Sequence, residues 1–141
     1  MRIFVTGAAG YIGSAVVKEL IQAGHRVVGL TRSDKGAELL ERLGAEVQQG
    51  VLEDLDLLRS SSASSDGVIH LAFNHDFSNF AGSLATDLRA IEAMGEGLEG
   101  SGKPLVITAH ANGQASEEAA LASIARGVRS MIVSLAPSVH G

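Results

Sequence analysis

Short apolar runs alternate with longer segments of helical period along this chain. The first run, RIFVTG (2–7), predicts a buried strand, because its apolar positions are nearly continuous rather than alternating. GSAVVKELIQAG (13–24) carries Val16, Leu20 and Ala23 at helical spacing, and Gly24 is placed to close the helix. RVVGLT (26–31) predicts a second strand, DKGAELLERLG (34–44) a second helix closed by glycine, and AEVQQG (45–50) a third, weaker strand. DLDLLRSS (54–61) predicts a short helix that dissolves into SSSASSD, a serine-rich solvated connector.

The second half repeats the alternation. GVIHLAF (67–73) predicts a fourth strand, and Phe80, Leu84, Leu88, Ile91, Met94 and Leu98 mark a long helix after it. KPLVITA (103–109) is the fifth strand and SMIVSLA (130–136) the sixth. Between them SEEAALASIARG (116–127) reads as a helix with Ser116 as N-cap, acids in its first turn and Arg126 in its last. Apolar strands separated by helices imply an α/β fold, a doubly wound parallel sheet covered on both faces. Six strands in two βαβαβ halves give the expected Rossmann order 3-2-1-4-5-6.

At 141 residues the expectation is a single domain, 1–141, with no separate substrate domain. The formal net charge is −5 and no run of Lys or Arg occurs, which argues against a nucleic-acid surface. With no cysteine there is neither a disulfide framework nor a thiolate zinc site. No apolar run approaches the roughly 20 residues of a membrane helix. The chain enters a strand at once, without a basic segment and apolar core, so a cytoplasmic location is expected.

The strand–helix junction VTGAAGYIG (5–13) holds the candidate chemistry. Its spacing is Gly7-x-x-Gly10-x-x-Gly13. Gly7 permits the turn, Gly10 lets the backbone approach a pyrophosphate, and Gly13 brings the helix close to the strand. The helix N-terminus then offers unpaired N–H groups to phosphates. A tight turn without a ligand is the competing reading, but three glycines at helix entry are costly without a purpose.

From Met1 to Ser33, and again at GVIHLAF, KPLVIT and LAPSVHG, the chain resembles the extended and atypical short-chain dehydrogenases/reductases of the NAD-dependent epimerase/dehydratase type. The resemblance implies a nicotinamide dinucleotide held by Gly7, Ala9, Gly10, Tyr11, Ile12 and Gly13, with Leu52, Leu71, Ala72 and Thr108 around it. An acid at the end of the second strand selects NAD, and a cation there accommodates the 2′-phosphate of NADP. The sequence reads Thr31-Arg32-Ser33 with Asp34 slightly late, so NADP is expected, with NAD possible. Where the family carries an aspartate for adenine, this chain has Val51, leaving the Leu52 backbone for that contact.

The family's reduction uses a Tyr-x-x-x-Lys pair, whose lysine lowers the tyrosine pKa. The interval TAHANGQASEEAALASIARG holds neither residue, and Tyr11 is the chain's single tyrosine. Lost or altered oxidoreductase chemistry is therefore expected, with Thr108, His110 and His140 as the remaining catalytic candidates. His75, Asp76, His110 and His140 follow neighbouring strands, and such a rim suits zinc or a general base for an ester or lactone. Their spacing matches no recognised metal motif, so no metal site is assigned. His70 reads as a satisfied core histidine and His25 as a surface turn residue. A non-catalytic sensor or interaction module is the third reading. The face normally covered by a substrate portion suggests a homodimer.

Overall fold

A computed structural model describes residues 1–71, 80–109 and 129–134. The elements that frame the site are β1 (Arg2–Thr6), α1 (Tyr11–Gln22), β2 (Arg26–Thr31), α2 (Asp34–Leu43) and β3 (Glu46–Gln49). They are followed by α3 (Leu55–Ala63), β4 (Gly67–His70), α4 (Phe80–Leu98) and β5 (Pro104–Ala109). The strands lie in the order β3-β2-β1-β4-β5, and every pairing among them is parallel. This is the Rossmann-like α/β sheet expected from the alternation of short apolar runs and helices.

Side chains alternate across the sheet, so each strand feeds two cores. Phe4, Val28, Leu30, Val68, Leu105 and Ile107 join Leu58 of α3 and Ile91, Met94 and Leu98 of α4 on one face. Ile3, Val5 and Val27 join Val17 of α1 and Leu40 of α2 on the other. Parallel strands covered on both faces read as continuous apolar runs for this reason.

Helix ends obey local chemistry. Ser33 caps α2 by accepting the Gly36 N–H at 3.0 Å, and Asp54 caps α3 by accepting the Leu57 N–H at 3.2 Å. Gly24 and Gly44 close α1 and α2 at φ 91° and 92°, a left-handed backbone that only glycine adopts at little cost.

One expectation is corrected. The serine-rich stretch is not a solvated connector at its start, because α3 continues through Ala63 and both Ser62 and Ser65 are buried. The reason is size rather than polarity. A Cβ on Gly97 of α4 would lie 2.3 Å from the Arg59 carbonyl oxygen and 3.0 Å from Ser62 Cβ. Two small residues therefore let α3 and α4 pack almost backbone to backbone. The helix expected at 116–127 lies outside the described residues.

Candidate dinucleotide site

All described strands point their carboxyl ends at one rim, where α/β sheets bind ligands. β1 delivers the glycine loop there. Gly7 has φ 67°, and its carbonyl oxygen accepts the Gly10 N–H at 3.1 Å, closing the turn. The Gly10 carbonyl accepts the Ser14 N–H at 2.8 Å, the first bond of α1. A Cβ on Gly13 would lie 1.8 Å from the Gly7 oxygen and 2.7 Å from its carbonyl carbon. Those are backbone atoms that cannot swing away, so no other residue fits at position 13. At Gly10 the corresponding approach is 3.3 Å, so that position is tight rather than closed.

The α1 N-terminus carries no side-chain cap and no acid in its first turn, and Gly10 is exposed. Backbone N–H groups and the positive end of the helix dipole thus remain on offer to an anion. A pyrophosphate fits this arrangement: Gly10 puts no Cβ in its path, and the first turn of α1 carries no carboxylate. Ala9 and Ile12 are half-buried within the same loop, and Tyr11 contributes the first backbone position of α1.

The end of β2 stands beside the loop. Sequence reasoning overlooked Gly36 here. A Cβ on it would lie 2.3 Å from Thr31 Oγ1 and 3.0 Å from Ala9 Cβ. That glycine seats the start of α2 against the glycine loop. Its signal was present as a glycine in the first turn of a helix, where alanine is favoured by about 1 kcal/mol.

The charged groups at this corner sort themselves. Asp34 Oδ1 accepts a hydrogen bond from Gln49 Nε2 at 3.0 Å, so the acid is turned toward β3. Ser33 Oγ is engaged with α2, and Thr31 is buried at 8% exposure. Arg32 is exposed, and no carboxylate pairs with it among the described residues. Past β3, Val51 is 40% exposed, while Leu52 is half-buried and packs on the α3–α4 side core.

At the end of β4, the Leu71 N–H donates to Thr6 Oγ1 at 3.1 Å and to the Thr6 carbonyl oxygen at 3.2 Å. His70 is a core histidine, as expected from its place inside a strand. Its Nδ1 lies 2.6 Å from Thr6 Oγ1 and its Nε2 lies 2.6 Å from Asp87 Oδ1 of α4. Asp87 was not singled out from the sequence, because a lone acid within an apolar helical pattern reads as a solvated position. It is 2% exposed. His25 Nδ1 stands 3.4 Å from the amino terminus, at the opposite rim.

The backbone of Thr108 belongs to β5. Ala72, His75, Asp76, His110 and His140 lie outside the described residues, so the histidine rim expected from the sequence is not placed. Among the described residues no group of three His, Cys, Asp or Glu side chains converges to hold a metal. No helix there is long and apolar enough to cross a membrane.

Comparison with known proteins completes this picture. The chain is 44% identical to uncharacterized protein C2A9.02 of Schizosaccharomyces pombe, over all of this chain and 55% of that protein. It spans about half the length of the curated relatives it matches most fully. Its structure superposes on the Bordetella bronchiseptica enzyme WbmH, solved with NAD+, at TM-score 0.78 and 20% identity, covering 99% of this chain and 58% of that one. BdcA, solved with NADPH, gives TM-score 0.73 at 17% identity, covering 94% and 69%. These likenesses show the shared fold. The model of the NAD dependent epimerase/dehydratase family matches residues 3–94, from within β1 to within α4. With the glycine loop at the carboxyl end of β1 and most of the sheet inside that match, the chain belongs to the NAD dependent epimerase/dehydratase family.

Proposed function

We propose that this chain binds NADP(H) at the carboxyl rim of its sheet, and that the oxidoreductase chemistry usual in its family is lost or altered. The observation that carries the reading is the loop itself. Gly13 has no space for a Cβ, Gly7 is left-handed, and the N-terminus of α1 is uncapped. In this reading the backbone N–H groups of Tyr11, Ile12 and Gly13 take the pyrophosphate, with Gly10 letting it approach and Ala9 beside it, and Leu71 and Ala72, which follow β4 in sequence, border it. Arg32 meets the 2′-phosphate, and the withdrawal of Asp34 onto Gln49 supports that choice. Leu52 borders the adenine. A nicotinamide dinucleotide, when bound, supplies hydride transfer.

The solved neighbours include several complexes with NAD or NAD+ and one with NADPH, which supports a dinucleotide and leaves the choice between the two to Arg32. The six-strand form of the sheet belongs to the same reading. The parallel register of Pro104–Ala109 against Arg129–Ser134 supports it.

Altered chemistry rests on the residues between Ile107 and Val128, which include neither tyrosine nor lysine. The match to the S. pombe protein runs over 162 positions against 141 residues here, which supports a shortened stretch relative to that protein. Thr108, His110 and His140 are the side chains this reading leaves for residual catalysis. A homodimer is part of the proposal, and sedimentation at rising concentration tests it.

Calorimetric titration with NADPH and with NADH tests the central claim. Tight NADPH and weak NADH binding is the expected result. Equal affinity for the two removes the role of Arg32, and binding of neither removes the dinucleotide reading.

A further inference from the structure

Three polar side chains from three elements form a line beneath the glycine loop. Thr6 ends β1, one residue before Gly7; His70 ends β4; Asp87 lies midway along α4. They are 0%, 2% and 2% exposed, and both links measure 2.6 Å. A hydroxyl, an imidazole and a carboxylate in this order also describe a nucleophilic triad. That role does not suit Thr6, which has no exposed surface and whose Oγ1 already accepts the Leu71 N–H.

Donor accounting gives the line a direction. A carboxylate only accepts, so the His70 Nε2–H donates to Asp87. In a neutral imidazole Nδ1 then accepts the Thr6 hydroxyl proton, while Thr6 Oγ1 accepts from Leu71. Buried hydrogen bonds of this kind resist rearrangement, because breaking one carries the desolvation cost of the groups it joins.

We propose that Asp87, His70 and Thr6 are positioning residues that couple α4 to the dinucleotide-facing ends of β1 and β4. This rests on the dinucleotide reading for its consequence, though not for its mechanism. Asp87 fixes the ring of His70, the ring fixes the Thr6 hydroxyl, and that hydroxyl holds Leu71 beside the strand that turns into Gly7. Arrangements that must hold a ligand to within about half an ångström depend on such supporting bonds.

The test uses Asp87→Ala, which severs the line, and Asp87→Asn, which keeps an oxygen able to accept from Nε2. Each is checked for folding by circular dichroism, and the Gly7, Gly10 and Gly13 amide resonances are recorded alongside NADPH titration. Asp87→Ala is expected to shift those amides and weaken NADPH by about tenfold, with Asp87→Asn returning both toward wild type. A folded Asp87→Ala protein with unmoved amides and unchanged affinity overturns the proposal.

If Asp87→Ala does not fold, Thr6→Val, of nearly equal volume, carries the same test, with Thr6→Ser as its rescue. If the wild type binds neither dinucleotide, the functional reading falls separately. The loop amides then decide the coupling: a shift in the severed variant sustains it, and none overturns it.

Discussion

The two rims of the sheet are built on opposite terms. At the amino rim Glu46 reaches Arg26 at 2.8 Å and Arg2 at 3.4 Å, all three partly exposed. Asp66 accepts the Arg2 backbone N–H at 2.8 Å nearby. At the carboxyl rim, the equivalent ends of β1 and β4 carry Thr6 and His70, both buried, and the loops are shaped by Gly7, Gly13 and Gly36. Solvated ion pairs tolerate loose geometry and contribute little each. Buried bonds and backbone contacts without a Cβ tolerate almost none. The amino rim is finished with charges that water could replace, whereas at the carboxyl rim the described ends of β1 and β4 and the glycine loop are set by buried hydrogen bonds and close backbone contacts around an uncapped helix terminus.

Substitutions along this contrast should rank accordingly. Gly13→Ala is expected to have the largest effect, because the added carbon meets backbone on the Gly7 side. It should destabilise the fold by about 3 kcal/mol and abolish dinucleotide binding, measured by chemical denaturation and calorimetry. Gly36→Ala pushes into Thr31 Oγ1 and the loop at Ala9, and should cost about 2 kcal/mol despite alanine's better helix propensity. A gain in stability there would show that α2 is not seated on the loop. Arg32→Ala should leave stability within about 0.5 kcal/mol. It should weaken NADPH by about tenfold and NADH hardly at all, since only the 2′-phosphate contact is removed. At the other rim, Glu46→Ala breaks both ion pairs yet should change the unfolding free energy by less than about 1 kcal/mol. A larger loss would dissolve the contrast between the rims.

Much of the fold was legible because the relevant signals are local. Phe4, Val68 and Leu105 sit in apolar runs too dense for a half-exposed strand, and the sheet buries them on the α3–α4 side. Gly24 and Gly44 mark helix ends by a backbone conformation that depends on the residue itself. Ser60 to Ser65 misled because serine serves both solvated connectors and close helix contacts, and only the approach of Gly97 distinguishes them.

The site divides the same way. The spacing of Gly7, Gly10 and Gly13 determined by itself that a tight strand–helix turn opens onto an uncapped helix, because glycine's freedom and the missing Cβ act within nine residues of chain. Arg32 was legible as the cation that follows the second strand. What only the tertiary structure decided were the partners across the sheet. Asp34 turns to Gln49, Gly36 meets Thr31 and Ala9, and Asp87 meets a histidine 17 residues away in sequence. Each of these depends on strand order and helix packing, which bring together residues whose own neighbours along the chain say nothing about one another.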